Sequence, residues 1–428
     1  MRFLAGKTAR KIVRIICTQS KLAGPPSLPR GTKTYERTCK QCDALLMLSR
    51  WLYRKSPSVA RNGPFTACPH QIKGADREHH TITPNQLRWD PFPISNSERY
   101  DFLDGLSLVA EAGDASMRSG VAIYIYTCSE DMKQRALYNS DGDFLLVPQQ
   151  GAVLVTTELG QLLVEPNEIA VIPRGFLFKV QAAQGADMLR GYVLEVYDGH
   201  FELPDLGPIG ANGLANPQDF AYPTAATEDC APDDSSYTIL NKFMGTIFTA
   251  DRARNPFNVV AWRGNYAPFK YNLRLFNTIN TVSFDHPDPS IFTVLTCKST
   301  RPGTAIADFV IFPPRWMVAE HTFRPPYFHR NAMTEFMGLI EGVYDAKTSG
   351  GFLPGGASLH SLMTAHGPDL GAFTAATKAP LGPVKVAEGQ MAFMFETSLM
   401  LKVSNWAAQS AQPDYQEAAW LHIPAVEI

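Results

Sequence analysis

Apolar runs in this chain are short. Val121 to Thr127, Ala152 to Thr156, Gln161 to Val164, Ile169 to Ile172 and Gly191 to Tyr197 each close after a few residues at Gly, Pro, Asn or Asp. A buried helix needs about ten or more residues of 3.6-fold pattern, so runs of this length read as strands. The 32 prolines and 31 glycines fit the same reading, because many short strands need many tight turns. Only proline-free stretches such as Met132 to Leu137 and Asp414 to Trp420 predict short helices. The chain is therefore expected to be mainly β.

The segment Gly142 to Gly175 is the most regular, with strand, hairpin and strand in a cadence that resembles a cupin half-barrel. It holds no histidine, and none occurs between Asp141 and Gly191, so this half is expected to be free of metal. A second β-rich unit begins near Asn280, with strands expected at Phe292 to Thr296, Asp308 to Phe312, Glu335 to Tyr344, Gly389 to Phe395 and Leu399 to Val403. The expected architecture is a two-unit, cupin-like β-sandwich or jelly roll with few short helices. Its parts are a basic lead-in over 1–50, an N-terminal β domain over 51–279 and a catalytic domain over 280–428. The glycine-rich stretch from Leu203 to Pro217 lacks the spacing of a phosphate-cradling loop and reads as a connection.

Charge is unevenly distributed. Met1 to Arg61 carries 14 Lys and Arg against Glu36 and Asp43, a balance of +12, which leaves −14 for the rest of a chain whose net charge is −2. Such a block is read as an atypical lead-in rather than a nucleic-acid arm or an organelle address. The longest apolar runs, such as Phe309 to Phe312, fall far short of the roughly 20 residues that cross a bilayer. Seven cysteines at irregular spacing argue against a disulfide framework and for a reducing compartment, with the cytoplasm expected. Cys39 and Cys42 form a lone C-x-x-C with no second ligand pair at zinc spacing.

Chemistry concentrates between Arg324 and Asp369. His329 and Glu335 stand six apart, which on one strand would point both side chains to one face unless a bulge intervenes at Asn331 to Thr334. Glu335 is followed after six residues by Gly342, as in the first metal motif of cupins. A third ligand is available from His360 or His366. Two neutral imidazoles and one carboxylate on one face of a divalent iron leave the opposite face open for substrate and oxygen.

The strings Phe323-Arg-Pro-Pro-Tyr-Phe-His-Arg-Asn, Thr334-Glu-Phe-Met-Gly-Leu-Ile, Gly351-Phe-Leu-Pro-Gly-Gly-Ala-Ser-Leu-His, Thr364-Ala-His-Gly-Pro-Asp and Phe284-Asp-His-Pro-Asp-Pro-Ser resemble the homogentisate 1,2-dioxygenase family. So does Tyr138-Asn-Ser-Asp-Gly-Asp-Phe-Leu, and the likeness runs from about Trp51 to about Trp406. The resemblance implies His329, Glu335 and His366 as Fe(II) ligands and His286 as the acid/base residue beside the substrate hydroxyl. It implies Tyr344 and His360 as pocket residues, with Arg330 and Asn331 orienting the first ligand or the substrate carboxylate. It further implies homogentisate and O2 as substrates, 4-maleylacetoacetate as product, and assembly as trimers or hexamers.

The likeness stops before Ser49, where the charge-skewed text is what an upstream reading-frame fault would produce. Two other classes stay open on residues alone: a cupin isomerase or hydrolase using another divalent metal, and a non-catalytic β scaffold with a relict site. A complete ligand set in the second unit weighs against the scaffold.

Overall fold

The structure is a computed structural model, and it describes residues 63–75, 80–95, 97–183, 185–205, 214–225, 236–253, 255–257, 266–278, 292–317, 328–347, 350–421 and 423. The basic lead-in with Cys39 and Cys42, part of the glycine-rich connection, the expected boundary at 279/280 and His286 lie outside those residues.

Three sheets stack in layers. The first runs Thr66–Ala67, Thr246–Arg252, Tyr237–Phe243, Arg135–Asn139, Phe178–Ala182, Val153–Thr157, Gly160–Val164 in spatial order. The second runs Phe269–Asn272, Glu168–Ile172, Asp143–Gln150, Leu189–Val196, Ser119–Cys128, Leu106–Asp114, Lys402–Ser404, His80–Thr81. The third runs Phe201–Glu202, Thr293–Lys298, Ala305–Phe312, Met391–Thr397, Thr334–Glu341, Ala357–His360, Leu87–Trp89. This is the mainly β architecture that the short runs implied. Segments far apart in the chain share sheets, since Leu87–Trp89 completes the third sheet and Lys402–Ser404 joins the second.

The second sheet is the middle layer, and its sequence explains why. Side chains on a strand alternate between faces, so a strand covered on both sides must be apolar at nearly every position. Along Ser119–Cys128, Val121, Ile123 and Ile125 enter the core shared with the third sheet, whereas Ala122, Tyr124 and Tyr126 enter the core shared with the first. That is the physical meaning of the unbroken run Val-Ala-Ile-Tyr-Ile-Tyr. Pro148 is tolerated in the middle layer because the register shifts between Arg190 and Gly191, beside its partner position.

The third sheet turns Phe309, Phe336, Phe393 and Phe395 toward the middle layer, where Tyr192 packs edge-on against Phe393 at 4.9 Å. Tyr192 also donates from its hydroxyl to the Gly356 carbonyl at 2.7 Å. Gly338 makes this approach possible, because a Cβ there would sit 2.4 Å from the Phe393 ring and 3.1 Å from that of Tyr192. The alternate residues Glu335 and Met337 point to the opposite face, away from the middle layer, and there the candidate site lies.

One expected helix is corrected: Met132 to Leu137 contains no helix, and Arg135–Asn139 is a strand paired in parallel with Tyr237–Phe243. Its Arg135 guanidinium is held by Asp101 and Asp104, a contact between distant segments that local pattern does not encode. The helix at the other site forms over Tyr415–Trp420. Leu370–Lys378 adds a helix the pattern missed, although Asp369 caps it by accepting from the Ala372 N–H at 2.8 Å. Among the described residues no helix is long and apolar enough to cross a membrane.

Candidate metal centre

His329 and Glu335 do not share a strand. The chain forms the two-residue strand His329–Arg330, breaks at 331–333, and resumes as Thr334–Glu341. Convergence comes instead from pairing: His329 lies directly opposite His366 in a small antiparallel ribbon with Ala365–His366, and their rings are 4.3 Å apart. Glu335 enters from the third sheet beneath them. One ligand atom from each of His329, Glu335 and His366 can be chosen so that all lie within 4.8 Å of one another. Gly342, at φ 77°, then turns the chain out of the strand, and a Cβ there would come 2.5 Å from the Gly389 carbonyl oxygen.

The protonation pattern tests whether a cation belongs here. His366 Nδ1 lies 3.0 Å from the Thr364 carbonyl, which can only accept, so Nδ1 carries the proton and a neutral ring presents a lone pair at Nε2. That Nε2 faces Glu335 Oε2 at 3.1 Å, and His329 Nε2 faces Oε1 at 3.7 Å. That contact is favourable with either a proton on Nε2 or a metal cation between the two atoms. A backbone carbonyl fixing the far nitrogen of an imidazole is also the usual support for a metal-binding histidine. Burial acts to raise the Glu335 pKa, yet the contacts with His329, His360 and His366 outweigh it and hold the carboxyl well below the usual range. The donor set fits a divalent metal.

The centre is open on one side. The His329 side chain is 43% exposed, against 6% for Glu335 and 4% for His366. His360, opposite Glu335 in the sheet, is fully buried and stacks on His366 at 4.5 Å. Its Nδ1 donates toward Glu335 Oε2 at 3.4 Å, which leaves Nε2 to accept from Lys347 Nζ at 2.9 Å. Burial, reinforced by Lys347, pushes the His360 pKa well down. Burial and the Arg88 guanidinium do the same to Lys347, which also reaches Ser358 Oγ at 3.2 Å. Lys347 was not found by sequence reasoning, and nothing in Tyr-Asp-Ala-Lys-Thr marks it; only its burial does.

Tyr344 packs edge-on against Phe312 and Phe352 at 5.3 and 5.9 Å, and burial followed by Asp345 raises its pKa well above the ordinary value. Arg330 is exposed beside His329. Asn331 is turned inward, with Nδ2 2.8 Å from Glu335 Oε1. His70 and His80, in the other histidine-rich stretch, lie beside two different carboxylates, Asp104 and Glu111.

The family model described as homogentisate 1,2-dioxygenase N-terminal matches residues 46–273, and the one described as homogentisate 1,2-dioxygenase C-terminal matches 274–425. The chain is 56% identical over 410 residues to the homogentisate 1,2-dioxygenase of Homo sapiens, covering 92% of this chain and 91% of that one. It is 56% identical over 368 residues to that of Caenorhabditis elegans, covering 85% and 82%. Among solved structures, a cupin superfamily protein from Desulfitobacterium hafniense overlaps 24% of this chain and 84% of its own at 12% identity and a TM-score of 0.20.

Proposed function

This chain belongs to the homogentisate 1,2-dioxygenase family, and from that premise we propose that it uses Fe(II) to open the ring of homogentisate with O2. Both oxygen atoms enter the product, 4-maleylacetoacetate, in the breakdown of tyrosine and phenylalanine. The observation that carries this reading is the convergence of ligand atoms from His329, Glu335 and His366 within 4.8 Å of one another, with His366 Nε2 3.1 Å from Glu335 Oε2 and His329 on the exposed side.

In this proposal His329, Glu335 and His366 hold the metal. Ferrous iron bound there supplies an electron source for triplet dioxygen and a positive charge that favours the ring hydroxyl as phenolate. The protein's own groups do the rest. His286 takes the hydroxyl proton, a task suited to an imidazole near neutral pKa. Arg330, exposed beside the mouth, meets the acetate arm of the substrate with a charge-assisted hydrogen bond. Tyr344, packed against Phe312 and Phe352, lines the substrate pocket, and His360 contributes to it through its ring, whose two nitrogens are held by Glu335 and Lys347. Asn331 orients the groups beside the first ligand. The reading extends to a homo-oligomer, trimer or hexamer, working in the cytoplasm.

Oxygen uptake on homogentisate after anaerobic reconstitution with Fe(II) tests the assignment. Stoichiometric uptake that disappears in His329→Ala is expected. Turnover with zinc or manganese but not iron would instead favour an isomerase or hydrolase, and full ring cleavage by His329→Ala would remove the ligand set.

A further inference from the structure

The rung of the third sheet that carries Glu335 continues to Glu396, directly opposite on Met391–Thr397. Directly opposed residues share a face, so a second carboxylate stands beside Glu335 on the side where the metal ligands converge, and both are buried. One group links them. Asn331 Nδ2 donates to Glu335 Oε1 at 2.8 Å and to Glu396 Oε1 at 2.6 Å.

The amide has no alternative orientation. Its Oδ1 accepts from the Met333 N–H at 3.0 Å, and its backbone carbonyl accepts from Met363 N–H at 2.8 Å. Turned over, the amide would set its oxygen against two carboxylates and its NH2 against an N–H donor. Both amide hydrogens are therefore committed to carboxylates, one on a metal-ligand candidate and one on Glu396. Glu396 itself sits on a strand hydrogen-bonded on both sides, to Ala305–Phe312 and to Thr334–Glu341, which makes it a rigid reference point.

We propose, resting on the ligand reading above, that Glu396 is a positioning residue of the metal centre: through Asn331 it fixes Glu335 Oε1 and so sets the rotation of the carboxylate that presents Oε2 to His366. Oε2 is the oxygen 3.1 Å from His366 Nε2. A carboxylate that could rotate freely would exchange its two oxygens, and the site would have to order it on binding. Hydrogen-bond partners one step removed from a metal typically contribute about 10–100-fold in affinity.

Anaerobic titration of the metal-free full chain with Fe(II) and with Co(II), each in competition with a chelator, tests this without recourse to turnover. Glu396→Leu is expected to weaken both metals by about 10–100-fold and to shift the visible absorption of the Co(II) form. Glu396→Gln, whose carbonyl still accepts from Asn331, is expected to regain most of the affinity. Combining Glu396→Leu with Asn331→Leu should cost no more than Asn331→Leu alone, because both act through one linkage. Wild-type affinity and spectrum in a folded Glu396→Leu protein, or losses that add in the double variant, would overturn the role. Asn331→Ser cuts the link without setting an apolar side chain against carboxylates, and serves where Glu396→Leu does not fold; wild-type affinity there would overturn it equally. His329→Ala keeps the two readings apart. If it binds metal normally the ligand set is wrong, and if it loses metal while Glu396→Leu keeps it, only the positioning role fails.

Discussion

Each half of the molecule buries a glutamate on a strand with hydrogen-bonded neighbours, and the two are balanced in different ways. In the first half, Glu195 accepts from Lys242 Nζ at 3.0 Å, Asn139 Nδ2 at 2.5 Å and the Tyr124 hydroxyl at 2.8 Å. Lys242 also reaches Asp141 at 2.6 Å, and Asp141 accepts from the Met244 and Gly245 N–H groups. Burial acts against the Lys242 charge, yet the two carboxylates keep its pKa raised. In the second half, Glu335 meets the imidazoles of His329, His360 and His366, and no lysine or arginine ion-pairs with it among the described residues. A buried carboxylate with a tethered ammonium is a closed structural unit. One faced by three imidazoles, with a half-exposed ligand candidate at its edge, is arranged for a cation that arrives from outside.

The largest expected effect separates the halves by activity. His366→Ala removes a ligand candidate from the open site and should lower homogentisate-dependent oxygen uptake by about a thousandfold, several kcal/mol of barrier, while the denaturation midpoint of the metal-free protein changes little. Lys242→Met should do the opposite. It leaves two buried carboxylates without their cation and should cost about 3–5 kcal/mol in denaturant unfolding, with the Fe(II) affinity of the surviving folded protein unchanged. A loss of metal affinity in Lys242→Met would break the division.

A third case lies between them. Asp308, opposite Glu396 in the third sheet, is pushed up to about 6, chiefly by burial, while a hydrogen bond from Thr296 pulls it down. The folded chain holds this proton more tightly than the unfolded chain, so stability falls as pH rises from about 4 to about 6 and stays lower above that. Asp308→Asn should therefore leave stability unaltered near pH 4 and raise it at pH 7.5 by about 2–3 kcal/mol, as read from urea midpoints at the two pH values. An unchanged difference across that range would show that the burial of the Asp308 carboxyl is offset by its neighbours after all.

Legibility followed the range of the interactions. Val121 to Tyr126 could be read as a strand because burial on both faces is written into six consecutive apolar residues. Met132 to Leu137 was misread because the absence of proline permits a helix without requiring one, and the parallel pairing to Tyr237–Phe243 is a long-range contact. The candidate metal ligands could be named from motif, but the premise that His329 and Glu335 share a strand was mistaken. They meet because His329 pairs with His366, 37 positions on in the chain. Glu396 stands 65 positions from Asn331 and was invisible to any local pattern, although a glutamate closing the run Met-Ala-Phe-Met-Phe is a charge in an otherwise apolar strand. Lys347 offers no such sign.

The central claim is that the second half holds its buried glutamate ready for a metal and the first does not. Metal stoichiometry by anaerobic Fe(II) titration, on the native sequence and on Glu335→Gln, addresses it most directly. One tightly bound iron per chain, lost in Glu335→Gln with the fold intact, is the predicted result; one iron per chain at undiminished affinity in Glu335→Gln would contradict it.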